Sequence, residues 1–151
     1  MKLSSKGLYG VQAIFHLAFH ADGAEAQIKE ICERQAIPPR FLEQVFQDLR
    51  KAGIVTSRRG PRGGYKLAQP PERIRLGDII RALEGPVQLL PAGRHKEPTE
   101  SSSHAVAQDI FKGLSSGIEA CLDAVTVADM CSKAEALGIA RRPPPAYVYA
   151  I

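Results

Sequence analysis

Two clusters of side chains have types and spacing that could do chemistry. The first is RRGPRGG at residues 58–64, where Arg58, Arg59 and Arg62 crowd three cations among Gly60, Gly63 and Gly64. Like charges held that close repel one another unless an anion lies nearby. The glycines allow tight turns and a close approach to a sugar–phosphate wall. An arginine offered on such a tip can enter a narrow A·T-rich minor groove, where the potential is most negative. A solubilising hairpin tip is the plainer alternative. The second cluster lies in PPRFLEQVFQDLRKAG at residues 38–53. Arg40, Glu43, Gln44, Gln47, Arg50 and Lys51 share its polar side. Glutamate can accept a hydrogen bond from a cytosine amino group, and glutamine can pair with adenine. A carboxylate near phosphates weakens general binding, so Glu43 points to selectivity, unless it serves as an i,i+4 ion-pair partner. Arg50 and Lys51 suit phosphates or the C-terminal end of the helix dipole.

These side chains need a helix and a hairpin to present them. Leu42, Val45, Phe46 and Leu49 recur at i, i+3, i+4 and i+7, the apolar stripe of an amphipathic helix. Pro39 suits its first turn, and Gly53 suits the left-handed residue just past its end. IVTS and YKL then alternate as the two arms of a hairpin around the basic tip. Upstream, Ser4 or Ser5 caps a first helix running to about Phe19, with Leu8, Val11, Phe15, Ala18 and Phe19 as its inward face. His16 and His20 read as surface or half-buried histidines. Ala26–Gln35 reads as a second helix with Ile28, Ile31 and Cys32 inward, and residues 36–38 make a short turn. Two short helices joined by such a turn form a helix-turn-helix unit, whose second helix enters the major groove.

Downstream, Leu76–Leu83 is a fourth helix, with Ile79, Ile80 and Leu83 inward. Residues 88–103 lose periodicity and read as a polar loop. From His104 to about Ala124, Val106, Ile110, Leu114, Ile118 and Leu122 recur every four residues, flanked by Gly117 and Cys121. That stripe is too apolar for a free surface, and pairing with the same helix of a second subunit would bury it. Thr126 and Asp129 form a capping box that starts a short last helix. The proline-rich end is a flexible tail unless Tyr147, Val148 and Tyr149 dock as an edge strand.

The fold expected is mainly α with a small β-hairpin wing. Residues 1–85 form a winged helix-turn-helix DNA-binding domain, and 86–103 a sensor-type loop. Residues 104–137 hold the dimerisation helix and a short last helix, and 138–151 the tail. The chain of 151 residues has 44% hydrophobic and 24% charged content, enough for one globular core. Its net charge of +4 is uneven: residues 1–75 carry 13 Lys and Arg against 7 Asp and Glu, residues 76–151 carry 7 against 9. The basic surplus therefore lies on the half with the helix and wing, as phosphate contact requires. Three cysteines at irregular spacing make no disulfide framework. No N-terminal run has signal-peptide form and no segment reaches bilayer length, so the expectation is a cytoplasmic protein with no membrane role. No catalytic constellation or phosphate loop appears at usable spacing, which argues against an enzyme.

The segments KLSSKGLYGVQAIFHLA, ICERQAIPPRFLEQVFQDLRKAGIV, RRGPRGGYKLA and IRLGDIIRALEG together resemble the Rrf-two family of bacterial winged-helix transcriptional regulators, which includes the IscR, NsrR and CymR types. The match is dense over residues 1–85 and looser over 104–137. The resemblance implies a homodimer on a pseudo-palindromic operator, with repression the commoner role. It implies that Glu43 is the base-reading glutamate and Arg59 the minor-groove arginine. Arg62 departs from it, because many members have glycine there.

Many members of that family hold an iron–sulfur cluster on three cysteines in the loop before the long helix. Here the loop Val87–Ser103 contains no cysteine, and Ser101 stands where the family's last one would be. No cluster and no other cofactor is therefore expected. His104 matches a cluster-ligating histidine of the IscR type; a surface histidine at a helix start is the alternative. His95, Glu97, Glu100 and His104 could converge on a metal, but a nine-residue histidine spacing within a loop has no fixed geometry. Cys121 and Cys131 could form a redox pair: on one continuous helix they would lie about 15 Å apart, too far for a disulfide, whereas a break near Thr126 would bring them closer. The expected function is a homodimeric, DNA-binding regulator, with an effector or protein partner that the sequence does not identify. The alternative is a winged-helix protein-interaction module controlled by a partner or by thiol oxidation.

Overall fold

A computed structural model describes residues 2–90 and 102–143. In order these form α1 (Ser5–Phe15), a π-helical turn (His16–His20), α2 (Ile28–Gln35), α3 (Pro39–Lys51), β1 (Val55–Arg58) and β2 (Gly64–Leu67). A 3-10 turn (Pro71–Arg73) leads to α4 (Leu76–Glu84), α5 (Ser102–Asp123) and α6 (Val127–Ala136). The architecture is mainly helical with one two-stranded antiparallel hairpin, as expected from the periodicity. Ile14 from α1, Leu17 and Phe19 from the π-helical turn, Ile31 from α2, and Leu42, Val45, Phe46 and Leu49 from α3 are fully buried, and Ile79 of α4 joins them.

The inward face of α1 differs from the expected one. Gly7, Gly10, Ala13 and Ile14 face the core, whereas Leu8 is 48% exposed and Val11 and Phe15 are half-buried. The cause is close packing against α4: a Cβ on Gly10 would lie 2.1 Å from Leu83 Cδ1, so only the hydrogen side chain fits. Then the backbone widens at the π turn, where the Ala21 amide reaches back to the His16 carbonyl at 3.1 Å. His16, Leu17, Ala18 and Phe19 are all buried as a result. Four consecutive inward residues are more than a 3.6-residue period can turn to one side. His16 is thus an interior histidine, not the surface or half-buried one expected.

α2 starts two residues later than expected. Ala26 exchanges backbone hydrogen bonds with Tyr65 of the hairpin at 2.8 and 2.9 Å, which keeps it extended. The corner between α5 and α6 is stitched to the start of α4 by Leu76 N–H to the Val125 carbonyl and Val127 N–H to the Ile74 carbonyl. Arg81 of α4 also donates to both oxygens of Asp123, at 2.6 and 3.3 Å. These contacts fix the direction in which α5 leaves the domain. Thr126 and Asp129 form the reciprocal cap read from the sequence. The start of the expected flexible tail is docked instead. Arg34 of α2 donates to the carbonyls of Arg142 and Pro143, and the Arg142 N–H donates to His20 Nδ1 at 3.1 Å. Tyr147, Val148 and Tyr149 lie outside the described residues.

His16 carries a stability prediction. Both ring nitrogens lack a hydrogen-bond partner among the described residues, and Nε2 lies 3.8 Å from Glu30 Oε1. Burial, with help from His20 and Arg34, lowers its pKa from 6.5 to about 4. The unfolded chain therefore binds the extra proton first, and stability falls as pH drops from 6.5 toward 4. His20 is shifted in the same direction. Glu30, raised by burial, opposes the trend in the more acidic range. Between about pH 7.5 and pH 5.5 the His16 contribution is roughly 1 kcal/mol, or about 3 °C in Tm. Thermal unfolding of the parent should show this fall and that of His16→Leu should be flatter. An equal pH slope in both proteins would refute the assignment.

Candidate nucleic-acid interface

The core side of α3 leaves its other side to solvent. Arg40, Glu43, Gln44, Gln47, Arg50 and Lys51 are all exposed. Arg40 sits in the first turn, behind Pro38 and Pro39, where helix N-terminal donors and base-reading side chains meet a groove. Glu43 makes no ion pair among the described residues, so the ion-pair alternative for it has no support in the geometry. Gln44 is tied down: its Nε2 lies 3.3 Å from each carboxylate oxygen of Asp48. Asp48 in turn holds Lys6 of α1 at 2.6 Å and Lys51 at 3.8 Å. The lysine contacts, led by the Lys6 hydrogen bond, hold its carboxyl below the usual range. Asp48 and Lys6 were missed at the sequence level; the i,i+4 spacing of Gln44 and Asp48 was the available signal.

The wing follows from the end of α3. Arg50 donates to Ser57 Oγ at 3.3 Å, so helix face and hairpin form one continuous surface. β1 and β2 pair in the register Val55 with Leu67 and Arg58 with Gly64. Tyr65 stacks on the buried Phe46 ring at 4.3 Å between centroids, which fixes the hairpin to α3. Gly64 has a packing reason: a Cβ there would lie 2.5 Å from the Ala26 carbonyl oxygen. At the tip, Gly60 adopts φ of +113°, a region that favours glycine, and accepts the Gly63 N–H at 2.9 Å. Gln27 Nε2 donates to the Pro61 carbonyl, and Arg58 lies 3.9 Å from Glu25. The loop before α2 thus props the tip from behind. Arg58, Arg59 and Arg62 are exposed on it, and the tip does not fold back onto the core.

This arrangement matches known proteins. The family model Rrf2, described as an iron-dependent transcriptional regulator, matches residues 3–133. This chain belongs to the Rrf2 family. It is 38% identical over 130 residues to the HTH-type transcriptional regulator IscR of Aliivibrio salmonicida, covering 86% of this chain and 77% of that one. Among solved structures it is similar to IscR of T. potens, at 42% identity and a TM-score of 0.71 over 93% of each chain. It is also similar to CymR, the global cysteine regulator of B. subtilis, at 32% identity and a TM-score of 0.72, over 88% of this chain and 98% of that one. The chain is therefore a winged-helix, DNA-binding transcriptional regulator and not an enzyme.

The donors present do not suit the iron in the Rrf2 description. Cys32 is buried on the inward side of α2, Cys121 is exposed on α5, and Cys131 is half-buried on α6. Cys121 and Cys131 lie on different helices, on either side of the break at residues 124–126, and the loop before α5 supplies no thiolate. Cluster ligation needs several convergent sulfurs, and these cysteines do not fit it. No group of three His, Cys, Asp or Glu side chains that could hold a metal occurs among the described residues. His95 lies outside them. His104, in the first turn of α5, has Gln108 Nε2 at 3.0 Å from its Nε2. Along α5, Val106, Ile110 and Leu114 are 58%, 56% and 52% exposed. Gly117 and Cys121 are exposed as well, and Ile118 is half-buried. No described helix is long and apolar enough to cross a membrane.

Proposed function

We propose that this chain is a cluster-free, homodimeric repressor that reads a pseudo-palindromic operator with α3 and grips the adjacent minor groove with its wing. The observation carrying the reading is the continuous exposed surface from Arg40 through the Arg50–Ser57 bond to the arginine tip. In it, residues 1–85 bind DNA, 86–103 form the sensor-type loop, and α5 with α6 builds the dimer. The exposed Val106, Ile110 and Leu114 stripe pairs with its copy, Ile118 and Cys121 continue it, and the small Gly113 and Gly117 let the two helices approach. Glu43 discriminates bases, Arg59 enters the minor groove, and Arg40, Gln47, Arg50, Lys51, Arg58 and Arg62 contact bases or phosphates. The chain works in the cytoplasm, and its effector acts without an iron–sulfur cluster.

Selection of bound sequences from random DNA tests this. The parent should enrich a two-fold motif with A·T-rich flanks, and its affinity should fall steeply with salt. Glu43→Ala should relax one position of each half-site by about tenfold, the value of one base contact. Arg59→Ala should weaken binding most on A·T-flanked sites. Enrichment of no motif, or variants that bind as the parent does, would refute these roles. Capture of a stoichiometric protein partner without sequence preference on DNA would favour the interaction-module reading instead.

A further inference from the structure

Glutamine is an ambiguous reader, because its amide can turn either a donor or an acceptor outward. On α3 that ambiguity is removed. An ionised carboxylate only accepts hydrogen bonds, so beside Asp48 the Gln44 amide must turn its NH2 inward. The two 3.3 Å contacts from Gln44 Nε2 to Asp48 show that orientation. Its carbonyl oxygen is then the group left for the groove. Lys6 at 2.6 Å reaches Asp48 from a different helix and Lys51 approaches from the next turn, so the carboxylate stays charged and its field on nearby phosphates is offset. Asp48 itself is only 18% exposed, set behind the reading face.

We propose that Asp48 is a positioning residue that fixes Gln44 as a hydrogen-bond acceptor and thereby selects a base carrying an amino group in the major groove. Adenine offers N6–H and cytosine N4–H there, whereas guanine and thymine offer acceptors at O6 and O4. An outward carbonyl oxygen favours the first pair and leaves two acceptors facing each other with the second. The inference rests on the reading that α3 meets base edges.

The test is sequence selection from random DNA with the full-length parent, Gln44→Ala, Asp48→Asn, the double variant and Lys6→Met, with folding checked by thermal unfolding. The position whose preference changes in Gln44→Ala identifies the base that Gln44 reads. At that position the parent should prefer adenine or cytosine by about tenfold. Asp48→Asn, which offers both a donor and an acceptor, should cut that preference to less than about threefold and leave other positions intact. The double variant should match Gln44→Ala. Lys6→Met keeps the carboxylate, so it should retain the preference even if overall affinity falls. A guanine or thymine preference, no position that responds to Gln44→Ala, or an Asp48→Asn motif unchanged from the parent would each overturn the proposal. If the parent enriches no motif while still binding DNA, the base-reading role of α3 fails and this inference falls with it. An intact motif that ignores Asp48 removes the inference alone.

Discussion

Phe46→Ala is expected to destabilise the protein by about 3–5 kcal/mol, the usual cost of truncating a fully buried phenylalanine. Phe46 is 0% exposed in the centre of α3, and its ring stacks on Tyr65 of β2. The substitution removes core contacts and the ring pair together, and such a pair adds roughly 0.5–1.5 kcal/mol. Domains of this kind hold only about 5–15 kcal/mol in total. A loss of 4 kcal/mol should lower Tm by roughly 8–16 °C. Binding should suffer further even below the transition, because Phe46 is what seats the wing against the recognition helix. Phe41, one helical turn earlier, is the control. It is 37% exposed and forms an edge-to-face pair with Tyr9 at 5.2 Å between centroids, so Phe41→Ala should cost about 1 kcal/mol or less. Thermal unfolding of both variants and DNA binding at low temperature check this. Equal losses in the two would mean that Phe46 does not anchor the hairpin.

The recognition helix and wing were legible because their signals are local. The stripe Leu42, Val45, Phe46 and Leu49, the proline at its start and Gly53 with φ of +73° at its end each act within one or two turns. The hairpin was readable for the same reason. α1 was not, because what decides its inward face is Leu83, some seventy residues away, occupying the space beside Gly10. An amphipathic pattern ranks Leu8 above a glycine, and the close helix crossing reverses that order. The burial of His16 depends on a widened turn that no periodicity announces. The docking of Arg142 onto His20 joins residues 122 positions apart. The site shows the same division. The arginines and Glu43 could be named from type and spacing, while the Asp48–Lys6 link between α3 and α1 needed the fold to bring the two helices together. Family membership needed neither; it followed from several motifs in fixed order.

Placing a carboxylate on the α5 stripe should separate the subunits and with them the operator affinity. Burying a Val, Ile or Leu side chain is worth roughly 1.5–3 kcal/mol, and Val106, Ile110 and Leu114 each leave about half of that to be gained. They recur every four residues, so one face of the helix presents all three, and a two-fold pairing doubles the area covered. Ile110→Asp or Leu114→Asp would put an unpaired charge into that seam, which costs more than the lost apolar contact. The DNA-binding half should remain folded, because the hydrogen bonds that hold α5 to it (Arg81 to Asp123, Val87 N–H to Glu119 and Leu89 N–H to Ser115) and the Ile74–Val127 and Leu76–Val125 bonds beyond its end use neither Ile110 nor Leu114. Sedimentation of the parent should give about twice the chain mass of 16.4 kDa, and of either variant about that mass. Each half-site would then be bound independently, without the high effective concentration that linkage supplies, and affinity for the full operator should fall by about 10²–10⁴-fold. Affinity for an isolated half-site should hardly change. That contrast separates lost pairing from a damaged reading head: a uniform loss on both DNAs, or a variant that stays dimeric, would show that α5 does not join the subunits through this stripe.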